Sequence, residues 1–141
     1  MQSPMILDKI SQLIDSEEEL VQAATKLNKH FRDIEAVLQT HASTSASIPL
    51  KNLDPASEPC VVLAFRKAKH TKLKRALIIV KSLAPDHEEV VPITAAPLRY
   101  RVEAATLLPQ LIDTLAKKAD TIAKSAQKAV DVLVNLKQQV E

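Results

Sequence analysis

Two stretches of this chain place apolar residues in alternating steps of three and four. The later one reads Leu108, Ile112, Leu115, Ala119, Ile122, Ala126, Ala129, Leu133, Leu136 and Val140, with no position missed. That is the a/d ladder of a coiled coil, narrower than the stripe of an ordinary surface helix. Lys117, Lys118, Lys124, Lys128 and Lys137, with Asp113, Asp120, Asp131 and Glu141, lie off the seam. A helix with such a seam needs a partner helix. The earlier stretch reads Ile6, Ile10, Leu13, Leu20, Ala24, Leu27, Phe31, Ile34 and Leu38, with one fault at Glu17.

The fault sits inside Asp15-Ser16-Glu17-Glu18-Glu19. Ser16 and Glu19 have capping-box spacing, and the acids suit a helix N-terminus. Two versions follow: a short helix over 4–14 before a longer one over 17–40, or one continuous helix. The capping signal favours the break. Ser3 can cap the first turn, and Pro4 is tolerated at its first position.

Between the ladders the pattern changes twice. His41 to Ser47 is rich in Ser, Thr and Ala, and Pro49 and Asp54-Pro55 follow, so 41–58 reads as a loop. Ile48 to Leu50 can form a short edge strand, weakened by Pro49. Cys60 to Phe65 and Ala76 to Val80 are short apolar runs rich in β-branched residues, joined by a basic turn from Arg66 to Arg75. Both runs are apolar on both faces, which predicts a hairpin covered on each side. A third strand, Val90 to Thr94, follows the acidic turn Pro85 to Glu89, and Pro92 places it at an edge. From Pro97 the helical pattern resumes. Pro109 interrupts it, and Thr106 as cap with Pro109 in the first turn is the less strained arrangement.

The fold class predicted is α+β: two long amphipathic helices forming an antiparallel coiled-coil hairpin, with a small antiparallel β-hairpin or sheet inserted between them. The chain reads as one domain, divided into a helical region 3–40, the loop 41–58, a sheet 59–94 and a helical region 97–141. The order helix, hairpin, helix resembles the layout of prefoldin subunits. The resemblance is one of architecture, without a shared motif, and implies nothing about function. The same seams can instead join copies of the chain.

Composition narrows the function classes. The chain has 141 residues, 46% hydrophobic but only 2% aromatic, so its core must be aliphatic and alanine-rich. Glycine is absent, which removes glycine-dependent phosphate loops, dinucleotide-binding turns and nucleophile elbows. Net charge is +2, too small to imply a partner. The N-terminus lacks a signal-peptide pattern and no apolar run is long enough for a membrane span, so a cytoplasmic location is expected. The narrow, alanine-heavy last helix suits helix packing better than a membrane surface.

The basic turn is the leading candidate site. Pro59 to Ser82 holds Arg66, Lys67, Lys69, Lys72, Lys74, Arg75 and Lys81 and no acid, so the rest of the chain carries −5 against this +7. Such a turn can contact the phosphates of DNA or RNA, or an acidic protein. It can equally keep an apolar hairpin soluble. The turn lacks aromatics, which argues against single-strand recognition. Arg99, Tyr100 and Arg101 form a second polar cluster, which can assist binding or cap a core edge. The acids at 15–19 can face a basic hairpin of another copy. His30, His41, His70 and His87 are scattered without metal spacing, and Cys60, opening an apolar strand, reads as a buried structural thiol. No metal, cofactor or catalytic set is expected. The expected function is a non-catalytic oligomeric interaction protein, a scaffold, adaptor or inhibitor, with a homo-oligomeric or other protein partner and no membrane. Its seam is Leu20, Leu27, Phe31, Ile34, Leu38, Leu108, Ile112, Leu115, Ile122, Leu133 and Leu136. The alternative is nucleic-acid binding through Arg66 to Arg75, with Arg99 and Arg101 assisting.

Overall fold

The computed structural model describes residues 4–51, 60–84 and 86–140. Helix α1 (Pro4–His41) leads into strands β1 (Ala46–Pro49), β2 (Val61–Lys67), β3 (Arg75–Ala84) and β4 (His87–Pro92), and helix α2 (Leu98–Val140) follows. The strands form one antiparallel meander in the order β1-β2-β3-β4. This is the α+β arrangement predicted, with both proline-bearing strands at the edges. Ser3 and the Asp54-Pro55 part of the expected loop lie outside the described residues.

The strand alternation decides what each face of the sheet does. Phe65 pairs with Leu77 and Leu63 with Ile79, while Ala46 and Ile48 pair with Phe65 and Leu63 from the other side. These side chains form one core with Phe31 and Leu38 of α1 and with Tyr100, Ala104, Leu108, Leu111 and Leu115 of α2. Both helices therefore lie on this face. The opposite face holds a smaller cluster of Ala64, Ala68, Ala76, Ile78 and Val80, to which no described helix residue belongs. Among the described residues the hairpin is thus helix-covered on one side only. On the other side Arg66 of β2 reaches across to Glu88 of β4 at 2.7 Å. Cys60 leads into β2 and is exposed, not buried as expected.

Helix α1 docks by continuing the sheet's hydrogen bonding. Arg75 and Leu77 of β3 lie beyond the point where β4 ends, since β4 pairs no earlier than Ile78 with Pro92. Two side chains one helical turn apart fill that place. Glu35 accepts from the Leu77 N–H at 2.8 Å, and the Gln39 amide donates to the Arg75 carbonyl at 2.9 Å. The match is metric: four helical residues advance about 6 Å, and two strand residues advance about 6.6 Å.

The same contacts fix the sense of the helices. Asn28 of α1 donates to the Thr94 carbonyl and accepts from Arg101 of α2, near the start of α2. At the other end, Lys118 of α2 donates to the Ser45 carbonyl, just past the end of α1. Over the sheet the two helices run in the same sense. The antiparallel coiled-coil hairpin expected from the two ladders is not found: the helices lie on one sheet face in the same sense, and the sheet takes the seam residues nearest to it.

Two boundary expectations are corrected. Helix α1 is continuous through Asp15–Glu19; neither Pro nor Gly interrupts it there, so the capping signal has nothing to stop. Helix α2 begins at Leu98 and carries Pro109 inside it. Pro97 supplies the opening carbonyl, bonded by Tyr100 and Arg101 N–H groups at 2.9 and 3.2 Å. Pro109 is exposed, and Ala104, Leu108 and Leu111 pack on the core on both sides of it, so tertiary contact offsets the roughly 3 kcal/mol that an interior proline costs.

The Glu35 contact predicts a specific pattern. Glu35→Ala strands the Leu77 N–H and lowers unfolding free energy by about 1–3 kcal/mol. Glu35→Gln, which keeps an acceptor, recovers most of it. Urea titration of the three chains checks this, and equal loss in both variants rules out the acceptor role.

Candidate functional site: the basic turn and two bare helical arms

The turn between β2 and β3 is built without glycine. A 3-10 turn over Lys69–Thr71 leads into Lys72 and Leu73, both left-handed at φ 56° and 67°. Each such non-glycine residue costs about 1–2 kcal/mol. Backbone bonds hold them: Leu73 N–H to the Ala68 carbonyl at 3.0 Å, Lys72 N–H to Lys69 at 3.2 Å and Ala68 N–H to Lys74 at 3.1 Å. The Thr71 hydroxyl lies 2.9 Å from the Ala68 carbonyl and 2.7 Å from that of Lys74, and its single proton serves the two.

Of the predicted basic site, the structure brings one part together. Lys67, Lys69, Lys72 and Lys74 are exposed on the turn, and among the described residues no carboxylate pairs with them. Arg66 is held by Glu88, and Arg75 donates to the Ser45 hydroxyl at 3.2 Å. Both arginines are therefore structural in part. A cleft of about 510 Å³ separates the turn from the end of α1, with Lys67, Leu73, Lys74 and Arg75 facing Gln39 and Thr40. Leu73, 64% exposed, is the apolar feature of this basic tip, and the sequence pattern did not single it out.

Arg99 and Arg101 are not brought to the turn. Arg101 bonds Asn28 at 2.9 Å, whereas the turn sits by Gln39, about 16 Å further along α1. Arg99 lies over the Tyr100 ring at 5.0 Å, and Tyr100 is buried in the core. The cluster seals a core edge, one of its two expected roles.

The predicted seam divides in two. Phe31, Leu38, Leu108 and Leu115 are buried, with Leu27 and Ile34 packed against them. Leu20, Ile112, Ile122, Leu133 and Leu136 are between 39 and 64% exposed. Every described side chain of α1 up to Ala23 is exposed, and so is every one of α2 from Ala116 to Val140. These arms extend roughly 30 Å and 37 Å at 1.5 Å per residue. They continue the stripes that pack on the sheet, since Leu13 and Leu20 share a face with Leu27 and Phe31, and Ile122 and Leu133 share one with Leu108 and Leu115. The bare stripe is also wider than the ladder. Leu7, Ile14 and Val21 flank it on α1, and Val130 and Val132 on α2. Consecutive heptads of α1 carry these flanking residues one place after Ile6, Leu13 and Leu20, a pattern suited to a bundle face. Asp113–Lys117 and Asp120–Lys124 pairs, both at 3.0 Å, support the helix by about 0.3–0.5 kcal/mol each.

Among the described residues no helix is long and apolar enough to cross a membrane, and no group of three or more His, Cys, Asp or Glu is placed to hold a metal ion. The strained turn carries its own test. Leu73→Gly relieves the left-handed strain, and a gain of roughly 0.5–1 kcal/mol is expected in urea titration; a loss of stability means the leucine side chain holds the turn. No family model, curated protein or solved structure matches the chain.

Proposed function

We propose that this chain is a non-catalytic, self-associating interaction protein, a scaffold, adaptor or inhibitor whose helical arms join it to other copies. The observation that carries the reading is the bare continuation of both stripes. Eight large apolar residues between Met5 and Val21 stand 44–66% exposed, and seven between Ile122 and Val140 stand 47–81% exposed. Contiguous apolar surface of that extent on a water-facing helix marks an interaction site, and amphipathic helices draw most of their stability from packing that stripe. The single exposed cysteine fits a reducing, cytoplasmic setting.

Light scattering at micromolar concentration tests the reading. More than one copy is expected, with Ile10→Asp and Leu133→Asp shifting the mass toward one copy. Both residues lie outside the monomer core, 44% and 64% exposed, so circular dichroism of the sheet stays unchanged. A monomer throughout the concentration range ends the proposal.

A second reading rests on the four unpaired lysines of the turn: contact with nucleic-acid phosphates. Four phosphate contacts predict roughly tenfold weaker duplex binding on doubling the salt. Lys69→Glu, Lys72→Glu and Lys74→Glu each weaken it further. Binding that ignores all three substitutions removes the turn from consideration.

A further inference from the structure

The two arms are not alike, and their differences are complementary. Residues 4–23 carry Asp8, Asp15, Glu17, Glu18 and Glu19 against Lys9, a net −4. Residues 116–140 carry five lysines against Asp120 and Asp131, a net +3. Like arms brought together repel, and unlike arms attract. Within one chain they cannot meet. The α1 arm leaves the body beside Arg101, at the start of α2, and the α2 arm leaves beside Ser45, past the end of α1.

The geometry points to a reciprocal dimer in which the α1 arm of each copy packs antiparallel on the α2 arm of the other; it rests on the self-association proposed above. Two copies related by a two-fold axis, side by side and oppositely directed, put the α1 end of one body next to the α2 end of its partner. Each α1 arm runs toward its own body, and each α2 arm runs away from its own, so the neighbouring arms are antiparallel. The apolar steps then coincide. Outward along α1 the positions are Leu13, Ile10 and Ile6, in steps of three and four; outward along α2 they are Leu133, Leu136 and Val140, in the same steps. Inward, Glu17, Leu20 and Ala24 match Ala129, Ala126 and Ile122. Large residues meet large residues at the tips. The acids at 17–19 fall beside Lys128 and Lys124, and Glu17, the fault in the α1 ladder, meets the small Ala129 one residue from Lys128.

A parallel, end-to-end overlap keeps the steps, with Ile6, Ile10 and Leu13 against Ile122, Ala126 and Ala129, but it sets large residues on alanine, Glu17 on Leu133 and Asp15 on Asp131. The reciprocal form also closes, because two arm pairs form for one loss of rigid-body freedom, whereas the end-to-end form grows into a fibre.

Cross-linking in the full chain tests the pairing. In a Cys60→Ser background, Leu13→Cys and Leu133→Cys are made as separate chains, both substitutions lying outside the monomer core. Oxidation of either alone is expected to leave at least tenfold less covalent dimer than oxidation of the mixture. As a check free of cysteine, Glu17→Lys/Glu18→Lys/Glu19→Lys and Lys117→Glu/Lys124→Glu/Lys128→Glu chains are each expected to be monomeric and to form a two-copy species when mixed. An assembly in which Leu13→Cys alone cross-links as well as the mixture means α1 arms pair with each other, which overturns the reciprocal dimer and leaves self-association standing. An open size distribution in place of two copies overturns it likewise. A monomer with no cross-link in any combination removes both.

Discussion

A small sheet has to cover two very long helices, and it cannot. Helices of 38 and 43 residues extend about 57 and 65 Å at 1.5 Å per residue. The strands have 4 to 10 residues and reach at most about 33 Å. One face of the sheet buries Phe31 and Leu38 from α1 and Tyr100 to Leu115 from α2, and the stripes then run on without a lid. Most features of the molecule follow from that mismatch: the exposed seam, the continuous α1, and a Pro109 tolerated because its surroundings are anchored.

The docking of α1 sets where the uncovered lengths point. Glu35 and Gln39 take the place of a missing stretch of β4 beside Arg75 and Leu77, which holds the helix at the sheet's end. The unequal strand lengths thus create a need for hydrogen bonds that α1 meets with side chains. The same sheet end carries the basic turn. Its charge is split: Arg66 and Arg75 are engaged within the fold, while the four lysines face water. Any partner attracted there meets point charges and the apolar Leu73, not a planar arginine fork.

Much of this was legible in the residue pattern. Short apolar, β-branched runs located β2 and β3, though not their ends at Lys67 and Ala84, Pro49 and Pro92 marked the two edges, and the period of three and four identified both helices. The pattern could not name the surface each seam would meet. A stripe looks the same whether a sheet or a helix lies on it, so Leu108 and Leu133 read alike although one is buried and the other bare. Local signals also misled where nothing global enforced them. The Ser16–Glu19 capping box sits in mid-helix, and the Pro109 boundary yielded to packing by Leu108 and Leu111. Leu73 escaped notice because a left-handed leucine has no sequence signature; in a chain without glycine, the turn had to strain some other residue. Cys60 misled for a related reason, since apolar runs do not reveal which sheet face lacks a helix.

The sense of the helices over the sheet carries the argument to assembly. In an antiparallel hairpin both bare stripes would leave from the same end and could cover each other within one chain. Here Asn28 meets Arg101 at one end and Ser45 meets Lys118 at the other, so the stripes leave from opposite ends. The chain that makes both complementary arms is therefore the chain least able to join them by itself. Opposite charge on the two arms is of no use to an isolated copy, where about 40 Å or more of body and arm separate their midpoints and salt screens the attraction within about 10 Å. In the proposed dimer it would act between copies, at contact distance, and there favour unlike arms over like ones.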